Sequence, residues 1–393
     1  MDTGYLLEVL GLLGRWLHVI VAIAWIGSSF YFVWLDDSLE PVTDPAAKAR
    51  GVYGQIWSVH GGGFYNAQKY PLGPPELPAS LHWFYWESYS TFLSGFFLLC
   101  VLYYAQAPAL LADPGLWKAT PAQSIALSLA VLAGGWVVYD VLCRLLRKRS
   151  QLLFGVVYLA FVLAVAWGLL QVFPGRAAYL HVGAMMAATM SANVFFWIIP
   201  GQRKVVAALR AGLPPDPVHG QRGKQRSVHN NYITLPVLFC MISNHYAFTY
   251  GSKHAWVILA LILVAAVAIR HFFNLRHKGR LAWQYPGGAI ALLVVAFTIA
   301  RPAGLQAGST APTLTQVRPV LEARCVPCHA EQPRLIPAPP LGVMLDTEAH
   351  IRANATRVVQ QAGYAQAMPM GNVTGITEAE RQLLRDWAAG GYR

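Results

Sequence analysis

Long apolar runs recur along this chain, and they limit its fold more than any other feature of the sequence. Eight runs are each about 20 residues long, which is the length of helix that crosses a hydrocarbon core of about 30 Å. They cover residues 9–34, 81–104, 122–143, 152–173, 177–199, 231–250, 254–273 and 285–304. Charged residues make up only 12% of the chain, about half the share of an ordinary soluble domain. We therefore predict an all-α fold, a polytopic membrane helix bundle with about eight transmembrane helices.

Lysine and arginine are distributed unevenly among the loops that join these runs. The loops after the first, third, fifth and seventh runs hold 16 of them, whereas the alternate loops hold only Lys118, Arg176 and Lys253. Basic loops stay on the cytoplasmic side, so this asymmetry predicts that both the amino terminus and the carboxyl-terminal tail lie outside. Orientation and anionic lipid then explain the net charge of +12, and nucleic acid is not expected as a partner.

The stretch RCVPCHAEQ in the tail contains Cys325, Cys328 and His329. CxxCH is the attachment signature of a c-type haem, in which both cysteines bind the porphyrin and the histidine binds the iron. The alternatives are a disulfide or half a zinc site, but zinc would need more ligands and His350 is the only other candidate in the tail. Bacteria attach this haem outside the cytoplasmic membrane, the side that the charge distribution assigns to the tail.

A second iron ligand is expected from the stretch AMPMGNVTG, where Met368 stands before a proline. Met370 and Met344 are the alternatives, and a methionine also fills core space readily. A helix is predicted over residues 378–389, with Thr377 and Glu380 as a capping box and two glycines after its end. We therefore divide the chain into a transmembrane domain (1–305), a linker (306–313) and a helical cytochrome c domain (314–393).

Polar residues inside the apolar runs fall into two layers, and such residues are costly enough to suggest function. The outer layer contains His18, His181 and His245. Histidines from different helices are the usual axial ligands of a haem b within a bundle, so a second haem is one interpretation. The other is that each histidine hydrogen-bonds to a backbone carbonyl or to a neighbouring serine or asparagine.

The inner layer is a mixture of a carboxylate, amides, imidazoles and aromatic residues. Its members are Glu87, Asp140 and Asn193, with His60, His82, His229, Asn230, Asn231 and His271 at the rim. The segment from Ser58 to Glu87 is rich in Gly, Pro and aromatic residues, which suits either a lid over a flat ligand or interfacial packing. The two consecutive asparagines either cap a helix or bind a polar heterocycle.

Five segments together resemble one family. GRWLHVIVAIAWIGSSFYF, HGGGFYNAQKY, LHWFYWESYSTFLSG, VHNNYITLPVLF and MPMGNVTGITEAER look like the bacterial membrane-bound urate oxidases, also called urate hydroxylases. The likeness covers essentially the whole chain. It implies an eight-span urate domain fused to a cytochrome c in the bacterial inner membrane.

The resemblance implies two-electron oxidation of urate to 5-hydroxyisourate without hydrogen peroxide, with electrons leaving through haem c to a soluble or membrane cytochrome. Glu87 is then the expected base, with His60 and His229 as rivals. Asn193, Asn230 and Asn231 are expected to orient the purine. A haem b would help the electrons to cross the membrane.

Two other functions are kept as alternatives. One is a quinol-oxidising or general electron-transfer cytochrome, which needs no cytoplasmic pocket. The other is a haem or metal transporter or an assembly factor with an accessory cytochrome, although no symmetry between two halves of the chain suggests transport. A homo-oligomer is an open alternative to a monomer.

Overall fold

The computed structural model describes residues 3–113, 116–146, 149–301, 310–336, 339–364, 366 and 368–393. Within these ranges the chain forms fifteen α-helices and one two-stranded sheet. The helices are α1 Thr3–Asp37, α2 Pro45–Ala49, α3 Trp86–Leu99, α4 Ala107–Leu110, α5 Pro121–Leu145, α6 Gln151–Val172, α7 Gly175–Asn193, α8 Ile199–Arg210, α9 Pro217–Ile242, α10 Ala247–Tyr250, α11 Ala255–His277, α12 Gln284–Ala300, α13 Leu314–Arg324, α14 Glu348–Val358 and α15 Glu378–Ala389.

Each of the eight apolar runs coincides with a helix, and the predicted helical membrane bundle is confirmed. Four of these helices, α1, α5, α6 and α11, are long and apolar enough to cross a membrane. A fifth such helix is continuous over Gly175–Arg210, because the π-helix Val194–Ile198 joins α7 to α8. Helix α3 extends through a second π-helix, Cys100–Tyr104, while α9 has a polar first half and α12 is a shorter apolar helix. The number of crossings stays a prediction.

Helix α7 lies at the centre of the bundle and α1 at its edge. The apolar window of Gly175–Arg210 is 61% buried, whereas that of α1 is 11% buried. Glycines allow close approach to α7: a Cβ on Gly135 of α5 would lie 2.2 Å from Met185, and one on Gly183 would lie 2.5 Å from Cys240 of α9. Small residues at crossings of this kind let membrane helices pack without a strong hydrophobic driving force.

The segment predicted as a lid begins instead with a β-hairpin. Strand β1, Gly54–His60, pairs antiparallel with β2, Gly63–Lys69. Gly61 and Gly62 have φ values of +58° and +82°, which fits the type I′ turn that tight hairpins prefer. Gly61 and Gly62 therefore form the turn, and Gly63 begins β2. His60 is exposed at the tip, next to exposed apolar side chains such as Phe64.

The C-terminal residues form their own hydrophobic core, separate from that of the bundle. Leu321, Ile351, Leu384 and Trp387 are almost fully buried in it. The last residue closes the unit, since the backbone oxygen of Arg393 accepts hydrogen bonds from Leu314 N (2.7 Å) and from the Trp387 indole (3.1 Å). The predicted last helix is confirmed as α15, together with its capping box and its glycine end.

This C-terminal unit packs against one end of the bundle. The 3₁₀ turn Met370–Asn372 contacts α4, and the π-helix Val359–Tyr364 contacts α10. The approach is close, because a Cβ on Gly251 would lie 2.2 Å from the Tyr364 carbonyl oxygen. Helix α4 lies in the connection after the second apolar run and α10 at the end of the sixth run. The sequence predicts both places to be outside, whereas the basic loops lie at the other end.

Candidate functional site

Most of the predicted inner-layer residues come together on α9 and the helices around it. His229, Asn230 and Asn231 are all buried, and they are consecutive on α9. Successive residues of an α-helix point about 100° apart, so the three side chains reach different neighbours. They belong to three distinct polar groups at the end of the bundle nearest the basic loops.

The first group is a buried ion pair whose polar atoms are well satisfied. Arg226 donates to Asp140 (2.6 Å) and to the side-chain oxygen of Asn193 (2.9 Å). Asn193 in turn donates to the side-chain oxygen of Asn230 (3.0 Å), and Asn230 donates to the Met190 carbonyl (3.0 Å). The amides of Asn193 and Asn230 therefore already have protein partners. Both side chains link α7 to α9, and the Arg226–Asp140 pair links α9 to α5.

A basic cleft opens beside this ion pair. It has a volume of about 770 Å³, and its lining includes Arg144, Arg149, Arg222 and Arg226. The guanidinium carbons of Arg144, Arg222 and Arg226 lie 5.3, 5.5 and 4.9 Å from the ring centre of Trp197. The cationic side chains around the Trp197 indole give this end of the bundle a positive electrostatic potential, which attracts anions.

The second group is centred on His229. Its Nε2 is 3.0 Å from the side-chain oxygen of Gln151, and its Nδ1 is 2.8 Å from the Tyr139 hydroxyl. The Gln151 oxygen can only accept, so Nε2 carries the hydrogen and Nδ1 accepts from Tyr139. The ring also stacks on Phe154, with centroids 4.2 Å apart. The imidazole is thus held as a neutral group with both nitrogens occupied.

The third group joins Asn231 to two residues of α11. The side-chain oxygen of Asn231 accepts from Arg270 Nε (2.9 Å) and from Asn274 Nδ2 (3.0 Å). Unlike the first group it is incomplete, because Asn231 Nδ2, Arg270 Nη2 and Asn274 Oδ1 are buried without hydrogen-bond partners among the described residues. Buried polar atoms are normally paired, so three orphans in one place point to a missing ligand or water.

The proposed bases lie in different environments. Glu87 begins α3, and its Oε2 is buried without a partner among the described residues. The next residue, Ser88, ties α3 to α7 through the Ser191 hydroxyl (3.0 Å). His60, in contrast, is exposed on the hairpin tip. Of the rim residues, His82 stacks edge-on against Phe84.

The outer-layer histidines are not gathered into one site. His181 is fully buried, with Nδ1 2.7 Å from the Ala177 carbonyl and Nε2 2.7 Å from the Ser128 hydroxyl. His18 is bonded through Nδ1 to Ser94 (2.9 Å), and His245 is exposed in a 3₁₀ turn. Because both nitrogens of His181 are occupied, this arrangement does not offer a haem b the pair of axial ligands it needs.

The CxxCH motif, in contrast, fits the group that it implies. It forms the turn after α13, with Cys325 buried and Cys328 partly exposed. His329 Nδ1 is 2.9 Å from the Val343 carbonyl, so this nitrogen carries the hydrogen and Nε2 keeps its lone pair for a metal. Burial raises the pKa of the Cys325 thiol to about 12, so the thiol is protonated at neutral pH.

The candidate methionines differ in their surroundings. Met368 packs against the core of the C-terminal unit, whereas Met370 is 44% exposed. Arg381 fixes the loop that holds Met368 by donating to its carbonyl oxygen (3.0 Å) and to that of Ala362. The assignment of Met368 as the second iron ligand stays a prediction.

Sequence reasoning missed Arg270 and Asn274, which lie one turn apart in "AIRHFFNLRH" near the end of the seventh apolar run. A signal was present, since an arginine within an apolar helix is costly and seldom without use. Arg226 was counted only as a loop charge. It is 4% exposed, because α9 starts at Pro217, well before the apolar run begins.

The fold and these groups define a polytopic helical membrane protein with a c-type haem motif in its C-terminal unit. Comparison with known families then identifies the bundle itself. The model of the family described as Urate oxidase N-terminal matches residues 4–301, and the chain belongs to this family. No curated protein and no solved structure was found to match the chain.

Proposed function

We propose that this chain is a membrane-bound oxidoreductase that converts urate to 5-hydroxyisourate. The family match over residues 4–301 is the observation that carries the proposal. The electrons are delivered to the C-terminal cytochrome c domain, and from there to a soluble or membrane cytochrome of the respiratory chain. Hydrogen peroxide is then not a product.

The overall reaction is balanced without oxygen. Urate and one water give 5-hydroxyisourate, two protons and two electrons, so the water supplies the new hydroxyl group. Cys325, Cys328, His329 and Met368 are the residues that would hold a c-type haem. When bound there, this haem supplies a one-electron acceptor that is filled twice in each turnover.

Within the bundle, we assign the base that removes a proton from urate to Glu87. Its buried, unpartnered Oε2 is free to accept a proton, as a general base must be. His229 is less suited, because Tyr139 and Gln151 already occupy its nitrogens. His60 is exposed on the hairpin tip, where water is not excluded.

The arrangement of the molecule supports a bacterial inner-membrane location with the N-terminus and the cytochrome c domain in the periplasm. The C-terminal unit contacts α4 and α10, at the end of the bundle away from the basic loops. Urate, an anion at neutral pH, would enter from the opposite end, where Arg144, Arg149 and Arg222 line the open cleft.

The test is reduction of the haem by urate in the absence of oxygen. Purified, oxidised, full-length protein is mixed anaerobically with urate, and the reduced c-type α band is followed in a stopped-flow spectrometer. Full reduction by urate supports the proposal. Reduction by a quinol but not by urate would replace it with the quinol-oxidising alternative.

A further inference from the structure

We propose that Asn231, Arg270 and Asn274 form the pocket that binds the urate anion. This proposal rests on the function proposed above and names the part of the bundle that holds the substrate. It adds Arg270 and Asn274 to the substrate site, and it separates Asn231 from Asn193 and Asn230, whose amides are used within the protein.

The three side chains are buried deeply enough to form a site shielded from water. Asn231 is 1% exposed, Arg270 4% and Asn274 7%. Arg270 and Asn274 are four residues apart on α11, so both face the same side of that helix, toward α9. The group therefore lies between two packed helices, where its geometry is rigid.

The hydrogen bonds within the group fix which atoms remain available. Arg270 Nε and Asn274 Nδ2 both donate to the same Asn231 oxygen, at 2.9 and 3.0 Å. Two donors, Asn231 Nδ2 and Arg270 Nη2, and one acceptor, Asn274 Oδ1, are left over. Each such orphan is unfavourable unless something binds to it.

The positive charge of Arg270 favours an anionic ligand in this group. Among the described residues, no carboxylate lies within salt-bridge distance of Arg270; the carboxylate of Asp37 on neighbouring α1 is instead 3.5 Å from Lys278. The ring of Phe30 covers one face of the guanidinium, with its centre 3.8 Å from Cζ. Burying a cation without a directly bonded carboxylate is unfavourable, so a negative ligand would offset the cost of this site.

The leftover atoms match the chemistry of a purine anion. Urate is flat, carries delocalised negative charge, and alternates carbonyl oxygens with ring N–H groups around its edge. Arg270 Nη2 and Asn231 Nδ2 can donate to such oxygens, while Asn274 Oδ1 can accept from a ring N–H. An apolar quinol offers neither the charge nor the alternating donors.

An entrance lies one helical turn away. A cleft of about 420 Å³ is lined by Trp34, Ser38, Phe273, Arg276 and His277. Trp34 is one turn beyond Phe30 on α1, and His277 is about one turn beyond Asn274 on α11. The cleft thus lies at the end of the bundle that carries the basic loops, about one helical turn from the three residues.

The experiment measures urate binding separately from turnover. In full-length protein reduced beforehand with dithionite, urate can bind but cannot be oxidised, so its effect on the melting temperature reports binding alone. The half-saturating urate concentration is then measured anaerobically with oxidised protein. The variants are Arg270→Gln, Arg270→Lys and Asn274→Asp, and Arg280→Gln, an exposed arginine after α11, is the control.

We expect urate to raise the melting temperature of the wild type and of Arg280→Gln by several degrees, and to leave Arg270→Gln unchanged. The half-saturating concentration should rise about 10- to 100-fold in Arg270→Gln. Arg270→Lys should be intermediate, because a lysine keeps the charge but loses the planar fork. Asn274→Asp should bind no urate while melting at or above the wild-type temperature without ligand, since the new carboxylate pairs with Arg270.

The outcomes distinguish this proposal from the function on which it rests. Suppose that urate reduces the wild type, and that Arg270→Gln and Asn274→Asp have the same half-saturating urate concentration as the wild type. The proposed pocket is then wrong, while the proposed oxidation of urate stands. If urate neither stabilises nor reduces the wild type, the proposed function itself fails. Because Asn274→Asp is expected to fold at least as well as the wild type, a poorly folded Arg270 variant does not prevent the test.

Discussion

At the scale of single residues, two buried arginines of the helix bundle are in different states. Arg226 is 4% exposed and paired with Asp140, whereas Arg270 is equally buried but has no carboxylate partner among the described residues. Arg226 therefore acts as a structural link between helices. Burial of Arg270 without a carboxylate partner is unfavourable in the free protein, and an anionic ligand would offset this cost.

Replacing Asp140 by Asn should destabilise the bundle by about 3 kcal/mol, because it leaves the buried Arg226 without a counter-charge. Arg144→Gln removes the other partner of the same carboxylate. It should cost less than about 1 kcal/mol, since the Arg144 side chain is 65% exposed. Unfolding of both variants in detergent checks this, and equal losses would contradict the assignment of Arg226 as the structural partner.

Glu87→Gln should lower the maximal rate of urate oxidation by about 10²- to 10⁴-fold, because an amide cannot take up the proton. The half-saturating urate concentration should change little, since Glu87 is not one of the residues assigned to hold the anion. Steady-state kinetics with a cytochrome acceptor measures both quantities. Glu76→Gln, at an exposed position in the preceding loop, is the matched control. Turnover near the wild-type rate would remove Glu87 as the base.

At the scale of secondary-structure elements, ends and turns are set by a few residues each. Helix α15 starts at a capping box in which the Thr377 hydroxyl accepts from Glu380 N (3.2 Å) and Glu380 accepts from Thr377 N (2.7 Å). Glu380 also pairs with Arg324 of α13 at 3.1 Å. This one carboxylate therefore joins the cap of the last helix to the helix that precedes the CxxCH motif.

Partial burial raises the pKa of Glu380, but the hydrogen bonds from Thr377 and Arg324 outweigh it and hold the pKa below its ordinary value. The carboxylate thus stabilises the folded unit at neutral pH, and this contribution is lost as the pH falls through the folded-state pKa. Glu380→Ala should lower the free energy of unfolding by about 1 kcal/mol at pH 7. The difference from the wild type should shrink below about pH 4.

Unfolding of the C-terminal unit in the full-length protein, followed by its haem absorbance across this pH range, measures the effect. Glu322→Ala removes an exposed pair with Arg318 on α13 and is expected to cost less than about 0.5 kcal/mol. A loss for Glu380→Ala that stays constant down to low pH would show that the charge of Glu380 is not responsible.

At the scale of the whole molecule, the two proposed sites lie at opposite ends of the bundle. Glu87, Asn231 and Arg270 are near the basic loops, whereas the C-terminal unit contacts α4 and α10 at the other end. In the proposed function, urate is taken up on one side and its electrons are delivered on the other. This separation is the property on which the proposed link to a respiratory chain depends.

A topology test follows from this arrangement. A reporter active only in the periplasm, such as alkaline phosphatase, should be active when fused after Arg393. The same reporter should be inactive when fused in the loop between α8 and α9. The sequence places this region on the cytoplasmic side, because the connection between the fifth and sixth apolar runs holds six basic residues. Activity of the loop fusion together with inactivity of the terminal fusion would reverse the orientation.

The sequence by itself determined the helical membrane bundle, the capping box of α15 and the CxxCH turn. Each depends on consecutive residues, since span length, caps and motif spacing are local properties of the chain. The hairpin was missed although its two-glycine turn is a local signal, because a segment rich in Gly and Pro also fits an irregular loop.

Only the tertiary structure decided what each buried polar residue contacts. Asn193 accepts from Arg226 and donates to Asn230. Asn231 accepts from Arg270 and Asn274, and both ring nitrogens of His181 are hydrogen-bonded, to Ala177 and to Ser128. One residue along a helix turns a side chain by about 100°, so the rotation and the neighbours of each helix choose its partner. The rotation and the neighbours of each helix are set by packing between segments that are distant in the sequence.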